Sequence, residues 1–355
     1  MEFLLKKVEE HLKREKPDEK ALGFGKYFTD HMFVMQYDQG LGWHDATIKG
    51  YDNFSLDPAA MVLHYGQAIF EGMKAYRGKN DNIYLFRPQD NLRRMNVSAE
   101  RMCMPTIDVD DIFEALKQLI QLDAAWVPST QGATLYIRPT MVATEAGLGV
   151  RPAEQYLFFM INSPVGAYYA EGFNPVKIYV TDKYVRAVAG GVGHVKTAGN
   201  YAASIMAAVE AQQKGYTQVL WLDAVERKYI EEVGTSNIFF LIGDELITPP
   251  LTGSILPGIT RDSVMRLTKD WGYQVVERPI SIDEVLEANE SGALPEIFAT
   301  GTAAVISPVG ELNYKGRICT INHGKTGDLS QKLFDEIQAI QYGFREDRYD
   351  WVVSV

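Results

Sequence analysis

A turn-rich stretch at Ser163–Lys177, opening Ser-Pro-Val-Gly-Ala-Tyr-Tyr-Ala-Glu-Gly-Phe-Asn-Pro, splits the chain into two halves. Each half alternates segments of strand period with segments of helix period. That pattern reads as two α/β domains with mixed sheets, of the α+β type. The expected division is a smaller N-terminal domain over residues 1–165, a linker over 166–180 and a larger C-terminal domain over 181–355. A chain of 355 residues fits this, since a domain averages roughly 150 residues. Hydrophobic residues make up 46%, enough for real cores and against wholesale disorder.

In the first half, Met1–Glu15 reads as a surface helix, apolar at Phe3, Leu4, Val8 and Leu12, ending near Pro17. Strand candidates follow at Phe28–Tyr37 and Gly42–Ile48, further elements at Met61–Ile69 and Lys74–Arg77, and a short strand at Ile83–Phe86. Helices are expected at Asn91–Met102 and Asp108–Leu122. The second carries acidic residues in its first turn, where the dipole favours them. Aromatic and β-branched runs predict strands at Ala133–Met141 and Gln155–Asn162. In the second half, helices are predicted at Tyr201–Lys214, Gly258–Trp271, Ile282–Asn289 and Asp328–Tyr342. Ser281 and Glu284 read as a capping box for the third. Strands at Gln218–Leu222, Gln274–Pro279, Glu296–Thr300 and Ala304–Pro308 join a hairpin of Asn237–Ile242 and Glu245–Thr248 about Gly243-Asp244.

Charge and cysteine usage exclude whole classes. The net charge of −11 opposes a nucleic-acid partner, because phosphate neutralisation needs a basic face. Two distant cysteines, Cys103 and Cys319, rule out a disulfide scaffold and a cysteine-rich metal site. The six histidines show no metal spacing, so no metal is expected. The N-terminus lacks a signal-peptide core, and no apolar run approaches a membrane span of about 20 residues. The expectation is a cytoplasmic protein with small-molecule substrates and no membrane partner.

Five stretches carry side chains suited to chemistry. Lys196 stands in Gly190-Gly191-Val192-Gly193-His194-Val195-Lys196-Thr197-Ala198-Gly199-Asn200-Tyr201, just before a helix. A phosphate-binding P-loop needs Gly directly before its lysine, and Val195 stands there instead. A solvated loop lysine is the ordinary reading. A Schiff-base lysine is the chemical one, with the glycines making room for a flat cofactor. Glu231 and Glu232 precede a turn into an apolar strand, and one of the pair reads as a solvated acidic turn. A carboxylate there, aimed at a pyridine nitrogen, would keep the ring an electron sink. Leu256-Pro257-Gly258-Ile259-Thr260-Arg261 places free N–H groups at a helix start, suited to an anion. Ala299-Thr300-Gly301-Thr302-Ala303-Ala304 is a small-residue turn that could complete a phosphate cup. Finally, Arg138 in Tyr136-Ile137-Arg138-Pro139 alternates with apolar neighbours on a strand expected in the core. That leaves a buried ion pair or a substrate-carboxylate arginine. Arg93-Arg94 reads as a solvated helix face.

In order, and with Tyr65-Gly66-Gln67-Ala68-Ile69-Phe70-Glu71-Gly72-Met73-Lys74-Ala75-Tyr76-Arg77-Gly78, these motifs resemble the branched-chain amino acid aminotransferases, in the longer form shared by animals and many bacteria. The resemblance runs from about Gly23 to about Gly310. It implies the pyridoxal-phosphate fold type IV, with pyridoxal 5′-phosphate bound to the C-terminal domain, and a ping-pong Schiff-base mechanism on Lys196. The reaction implied is reversible transamination of L-leucine, L-isoleucine and L-valine with 2-oxoglutarate. By matching position, Tyr201 stands beside the cofactor's ring hydroxyl and Glu232 partners its ring nitrogen. Arg94, Ile259, Thr260 and Thr302 form the phosphate cup, and Thr235 lies against cofactor and substrate. Phe28, Tyr65, Phe70, Tyr136 and Tyr168 wall the side-chain pocket, and Arg138 meets the distal carboxylate of glutamate. Tyr65, Thr302 and Ala303 hold the α-carboxylate. The resemblance implies that Leu148 and Val150 belong to a loop, residues 146–150, lent by the other subunit of a homodimer. Some relatives carry a Cys-x-x-Cys pair where Ala304 and Ser307 stand here, so thiol switching is not expected at that place. A D-amino-acid aminotransferase or an aminodeoxychorismate lyase shares the lysine and the cup but differs in the pocket. A non-catalytic phosphate-binding protein is the reading from a different class.

Overall fold

The computed structural model describes residues 2–166 and 173–355. Two compact units emerge. One comprises Met1–Tyr168, Val195–Gly199 and Ala339–Val355; the other comprises Tyr169–His194 and Asn200–Gln338. The chain thus returns to the first unit twice, at the lysine segment and at its C-terminus. The sequence pattern marked only the crossing near residue 166.

The first unit is built on a nine-stranded sheet. Its strands are β1 (Leu4–Leu5), β2 (His31–Asp38), β3 (Gly42–Gly50), β4 (Ala68–Phe70), β5 (Met73–Arg77), β6 (Ile83–Phe86), β7 (Thr134–Ala143), β8 (Gln155–Val165) and a C-terminal strand, Val352–Ser354. The path runs β1-β3-β2-β8-β7-β5-β6 to the C-terminal strand, with β4 added beside β7. All pairs are antiparallel except β1 with β3. The central strands bury alternate residues, the mark of a sheet with one face in the core. On β7 the core residues are Leu135, Ile137 and Met141, while Tyr136, Arg138 and Thr140 point to the other face and are half-buried. The core face joins helices α2 (Pro88–Arg101) and α3 (Val109–Leu122) through Leu92, Met95, Leu116 and Leu119. A short helix, α1 (Met61–Tyr65), precedes β4. Asp108 caps α3 by accepting from Asp111 N at 2.9 Å.

The second unit carries another nine-stranded sheet. It contains β9 (Val176–Val180), β10 (Gln218–Leu222), β11 (Ile230–Val233), β12 (Asn237–Ile242), β13 (Glu245–Thr248), β14 (Gln274–Glu277), β15 (Glu296–Gly301), β16 (Val305–Tyr314) and β17 (Arg317–Thr320). The order is β11-β10-β9-β16-β15-β12-β13-β14, with β17 beside β16. Parallel pairs (β9 with β10 and β16, β13 with β14) stand among antiparallel ones, so the sheet is mixed. The helices are α4 (Ala198–Gln213), α5 (Ile259–Asp270), α6 (Ile282–Glu290) and α7 (Asp328–Gln341). Ser281 caps α6 through Glu284 N at 3.1 Å, but the Glu284 carboxylate turns to Arg278, leaving the capping box half made.

Three expectations are corrected. Met1–Glu15 is not a helix: it forms β1 and a single 3₁₀ turn, Glu10–Leu12. Local propensity loses to tertiary partners there, because β1 completes the edge of β3, Val8 N donates to His31 Nε2 and Arg14 N donates to Asp30 Oδ1. Met61–Ile69 divides into α1 and β4 at Gly66, whose φ of +62° ends the helix. Strand β2 begins at His31, which leaves Phe28 in the approach to it.

Glu296 is the buried anchor of α7. Its carboxylate accepts from Leu329 N at 2.8 Å, Ser330 N at 2.9 Å and Ser330 Oγ at 2.8 Å. Glu296→Ala strips a helix N-terminus of its acceptor and is expected to cost about 3 kcal/mol in urea unfolding, with Glu296→Gln losing less.

Candidate active site

In the first unit the site begins with a buried charge. Glu71, between β4 and β5, has no solvent exposure. Arg94 on α2 forks onto it, Nε to Oε1 and Nη2 to Oε2, both at 2.8 Å. Asn91 Nδ2 adds a bond to Oε2 at 2.9 Å. Burial pushes the Glu71 carboxyl up, but the charges of Arg94 and Lys196 and the bonds from Arg94 and Asn91 outweigh it and hold the carboxyl below its ordinary value. One helical turn beyond Arg94, Ser98 Oγ accepts from Lys196 N at 3.0 Å. On the other side, Lys196 O accepts from Phe70 N at 3.1 Å and Thr197 Oγ1 donates to Ala68 O at 2.9 Å. The lysine backbone is therefore pinned between α2 and β4. Its Nζ lies 5.0 Å from the centre of the Phe70 ring.

The same ring meets Arg138, whose guanidinium carbon is 4.6 Å from its centre. Arg138 Nη2 also donates to Tyr136 OH at 3.0 Å. The expected core position of Arg138 is corrected: it stands on the half-buried face of β7, so its neighbours are aromatic rings and not the core. Gly72 permits the Tyr136 hydroxyl to come close, since a Cβ there would sit 2.0 Å from it. Phe24 packs edge-on against Tyr136 at 5.0 Å, and Phe28 stacks on Tyr51 at 5.2 Å. Ile161 stands opposite Arg138 and Phe159 opposite Thr140 on β8. The face therefore mixes aliphatic and aromatic surface with Arg138 and, opposite Tyr136 on β5, Lys74. Tyr65 OH donates to Leu148 O, in the loop where Leu148 and Val150 are 67% and 85% exposed. Tyr168 lies outside the described residues.

In the second unit neither glutamate of the pair is solvated, which corrects that expectation. Both lie on β11, Glu231 8% and Glu232 3% exposed. Asn237 Nδ2 and Leu256 N each donate to Glu232 Oε1 at 3.1 Å. Arg186 Nε lies 2.8 Å from Oε2. Asn237 also packs onto Gly258, where a Cβ would fall 1.9 Å from its Oδ1. Gly258 caps α5 without a side chain, so the first turn, with Ile259 and buried Thr260, receives no oxygen from its own N-cap. Thr302 and Ala303 form a half-buried turn between β15 and β16, closed by Val305 at a φ of +64°. Thr235 is exposed in the β11–β12 turn, and Tyr201 is half-buried in the opening turn of α4. Gly193 does not simply make room for a cofactor: a Cβ there would lie 2.3 Å from Ser254 O, so its role is close packing. Glu71, Asn237 and Arg186 carry no role in the sequence reading. The signal of Glu71 and Arg186 is a lone polar residue inside an apolar run, while Asn237 ends the polar turn Gly234-Thr235-Ser236 and gives none. Arg93 is exposed as expected, while Arg94 is drawn inward by Glu71.

Comparison with known proteins agrees in sequence and in fold. Residues 68–312 match the amino-transferase class IV family. Branched-chain-amino-acid aminotransferase 2 of Bacillus subtilis is 54% identical over 343 residues, covering 97% of this chain and 94% of that one. The crystal structure of the Escherichia coli branched-chain amino acid aminotransferase superposes with a TM-score of 0.77 at 26% identity, over 91% of this chain and 98% of that one. The branched-chain aminotransferase of the archaeon Thermoproteus uzoniensis, solved with norvaline, gives a TM-score of 0.75 at 26% identity over 91% and 99%. The chain belongs to the class IV aminotransferases and, within them, to the branched-chain-amino-acid aminotransferase family.

The Glu71–Arg94 pair makes stability depend on acid in a defined direction. A carboxyl held below its unfolded value of 4.5 contributes stability that is complete above that value and lost as pH falls through the folded one. Arg94→Met is expected to cost about 3–5 kcal/mol at neutral pH in urea unfolding, because a bare charge stays buried. The gap to the unmodified protein should narrow as the pH falls below about 4.5.

Proposed function

We propose that this chain catalyses reversible transamination between L-leucine, L-isoleucine or L-valine and 2-oxoglutarate, using pyridoxal 5′-phosphate. The observation that carries this is the Phe70 ring, which has an amine, Lys196 Nζ at 5.0 Å, and a guanidinium, Arg138 at 4.6 Å, against it. A reactive amine thus stands beside a face able to take an aliphatic side chain or a distal carboxylate. Family membership supports the same reading.

The residues fit the cofactor in kind. Glu232 is a buried carboxylate fixed by neighbours on both oxygens, suited to hold a proton at a ring nitrogen. The first turn of α5, with Ile259 and Thr260, joins Thr302 and Arg94 as phosphate donors. Tyr201 serves the ring hydroxyl, and Thr235 packs beside cofactor and substrate. When bound, the cofactor supplies an electron sink for the substrate α-carbon. Lys196 Nζ takes the α-proton as general base and returns it as general acid. Tyr65, Thr302 and Ala303 receive the α-carboxylate, for which the Tyr65 O–H must leave Leu148 O. One site serves both half-reactions, so the kinetics are ping-pong.

The pocket must accept both an alkyl chain and a carboxylate. An unanswered buried guanidinium would cost several kcal/mol. Tyr136 OH and the Phe70 and Tyr136 rings answer Arg138 when the substrate is aliphatic. The working unit proposed is a homodimer, in which the exposed Leu148 and Val150 of loop 146–150 reach the site of the second copy. The proposed compartment is the reducing cytoplasm, in keeping with Cys103 and Cys319, both free thiols. Among the described residues no helix is long and apolar enough to cross a membrane.

The test is optical. Protein loaded with pyridoxal phosphate is expected to show a visible band that bleaches with L-leucine and not with D-leucine, and that Lys196→Ala lacks. Bleaching by D-amino acids alone would reassign the activity. Arg138→Leu should lower kcat/KM for L-glutamate and 2-oxoglutarate at least about tenfold more than for L-leucine. Equal losses would remove Arg138 from the carboxylate role.

A further inference from the structure

Arg186 is a buried cation, its side chain 8% exposed, that none of the steps above uses. Its Nε lies 2.8 Å from Glu232 Oε2. Its Nη2 donates to two carbonyls, Gly193 O at 3.1 Å and Ser254 O. Ser254 Oγ donates in turn to Glu231 Oε1. The arrangement depends on a glycine, because a Cβ on residue 193 would lie 2.3 Å from Ser254 O and 2.4 Å from the Ala187 Cβ. Two carboxylates thus flank one guanidinium, Glu232 directly and Glu231 through Ser254.

The two carboxylates are not equivalent. Glu232 has donors on Oε1 and the guanidinium at Oε2. Glu231 Oε2 is buried without a hydrogen-bond donor. Burial pushes the Glu231 carboxyl up despite the Ser254 bond and the Arg186 charge. The guanidinium therefore lies directly against Glu232 and reaches Glu231 only through Ser254.

We propose that Arg186 is a positioning residue that decides on which side of the hydrogen bond between Glu232 and the cofactor's ring nitrogen the proton rests. This builds on the reading of Glu232 as partner of that nitrogen. A proton shared by a carboxylate and a pyridine goes to the more basic of the two. A guanidinium against the carboxylate stabilises its ionised form, so the proton is left on nitrogen. Without that cation, a buried carboxylate gains proton affinity. The uncharged pair, carboxylic acid and pyridine, then needs no separated charge in a low-dielectric site and is favoured. Arg186 acts wholly through Glu232 in this scheme, by holding Oε2 ionised while Ser254 O and Gly193 O fix the guanidinium.

The readout is the ¹⁵N resonance of pyridoxal phosphate labelled at its ring nitrogen and bound to the full-length protein. The unmodified protein should give a protonated-ring signal. Arg186→Gln keeps an amide donor and removes the charge. It is expected to move the signal downfield toward neutral pyridine, and Arg186→Lys should restore it. Arg186→Met is expected to match Arg186→Gln, so one folded neutral variant suffices, with folding checked by thermal unfolding. Glu232→Gln should move the signal as the neutral variants do. An unmoved signal in folded Arg186→Gln or Arg186→Met, with Glu232→Gln displaced, overturns the role of Arg186 and leaves Glu232 in place. An unmoved signal in Glu232→Gln overturns the reading of Glu232 itself.

Discussion

Glu71 is wholly out of water, and the surroundings of Lys196 are arranged by the need to answer that charge. The answer comes from one face of α2, at a spacing of three and then four residues. Asn91 and Arg94 hold the carboxylate, and Ser98 takes the backbone N–H of Lys196. A glutamate between two strands thereby fixes a helix, and the helix fixes the lysine. Lys196 is held by its backbone, so its Cα cannot drift. That is what the role proposed for its amine, repeated proton delivery to one carbon, demands.

The second unit solves the same problem with a different partner set. Glu232 is anchored by Asn237 and Leu256 N, and Asn237 packs against the glycine that opens α5. The buried carboxylate and the helix start are thus one rigid piece. A shift in either would carry the other with it. Arg186 adds the balancing charge, without which a carboxylate 3% exposed would be costly to keep ionised.

Much of this was legible in the sequence, and the missing parts share a cause. Helices α2, α3 and α5 and strands β7 and β8 announce themselves by periodicity, because each has a face that must be buried. Lys196, Glu232 and Arg138 stand out as polar residues in glycine-rich or apolar settings. What the pattern could not show is pairing at a distance: Glu71 with Arg94, Glu232 with Arg186, Val8 with His31. Each member reads as an isolated residue until the fold supplies its partner. The N-terminal segment failed for the same reason, since its extended form is set by the edge of β3 and not by its own propensity. The return of residues 339–355 to the first unit is likewise a property of the packed chain.

The Phe70 ring has both Lys196 Nζ and the Arg138 guanidinium against it, the groups proposed to handle the proton and to read the substrate's far end. On that proposal, turnover and selectivity are joined at one side chain. A lineage drifting toward new substrates cannot trade this residue without disturbing the chemistry as well. Its freedom lies further along the wall, at Phe28, Tyr136 and the β8 positions Phe159 and Ile161, where a change alters the pocket and leaves Lys196 on its mount. The ring divides what this enzyme can evolve from what it must keep.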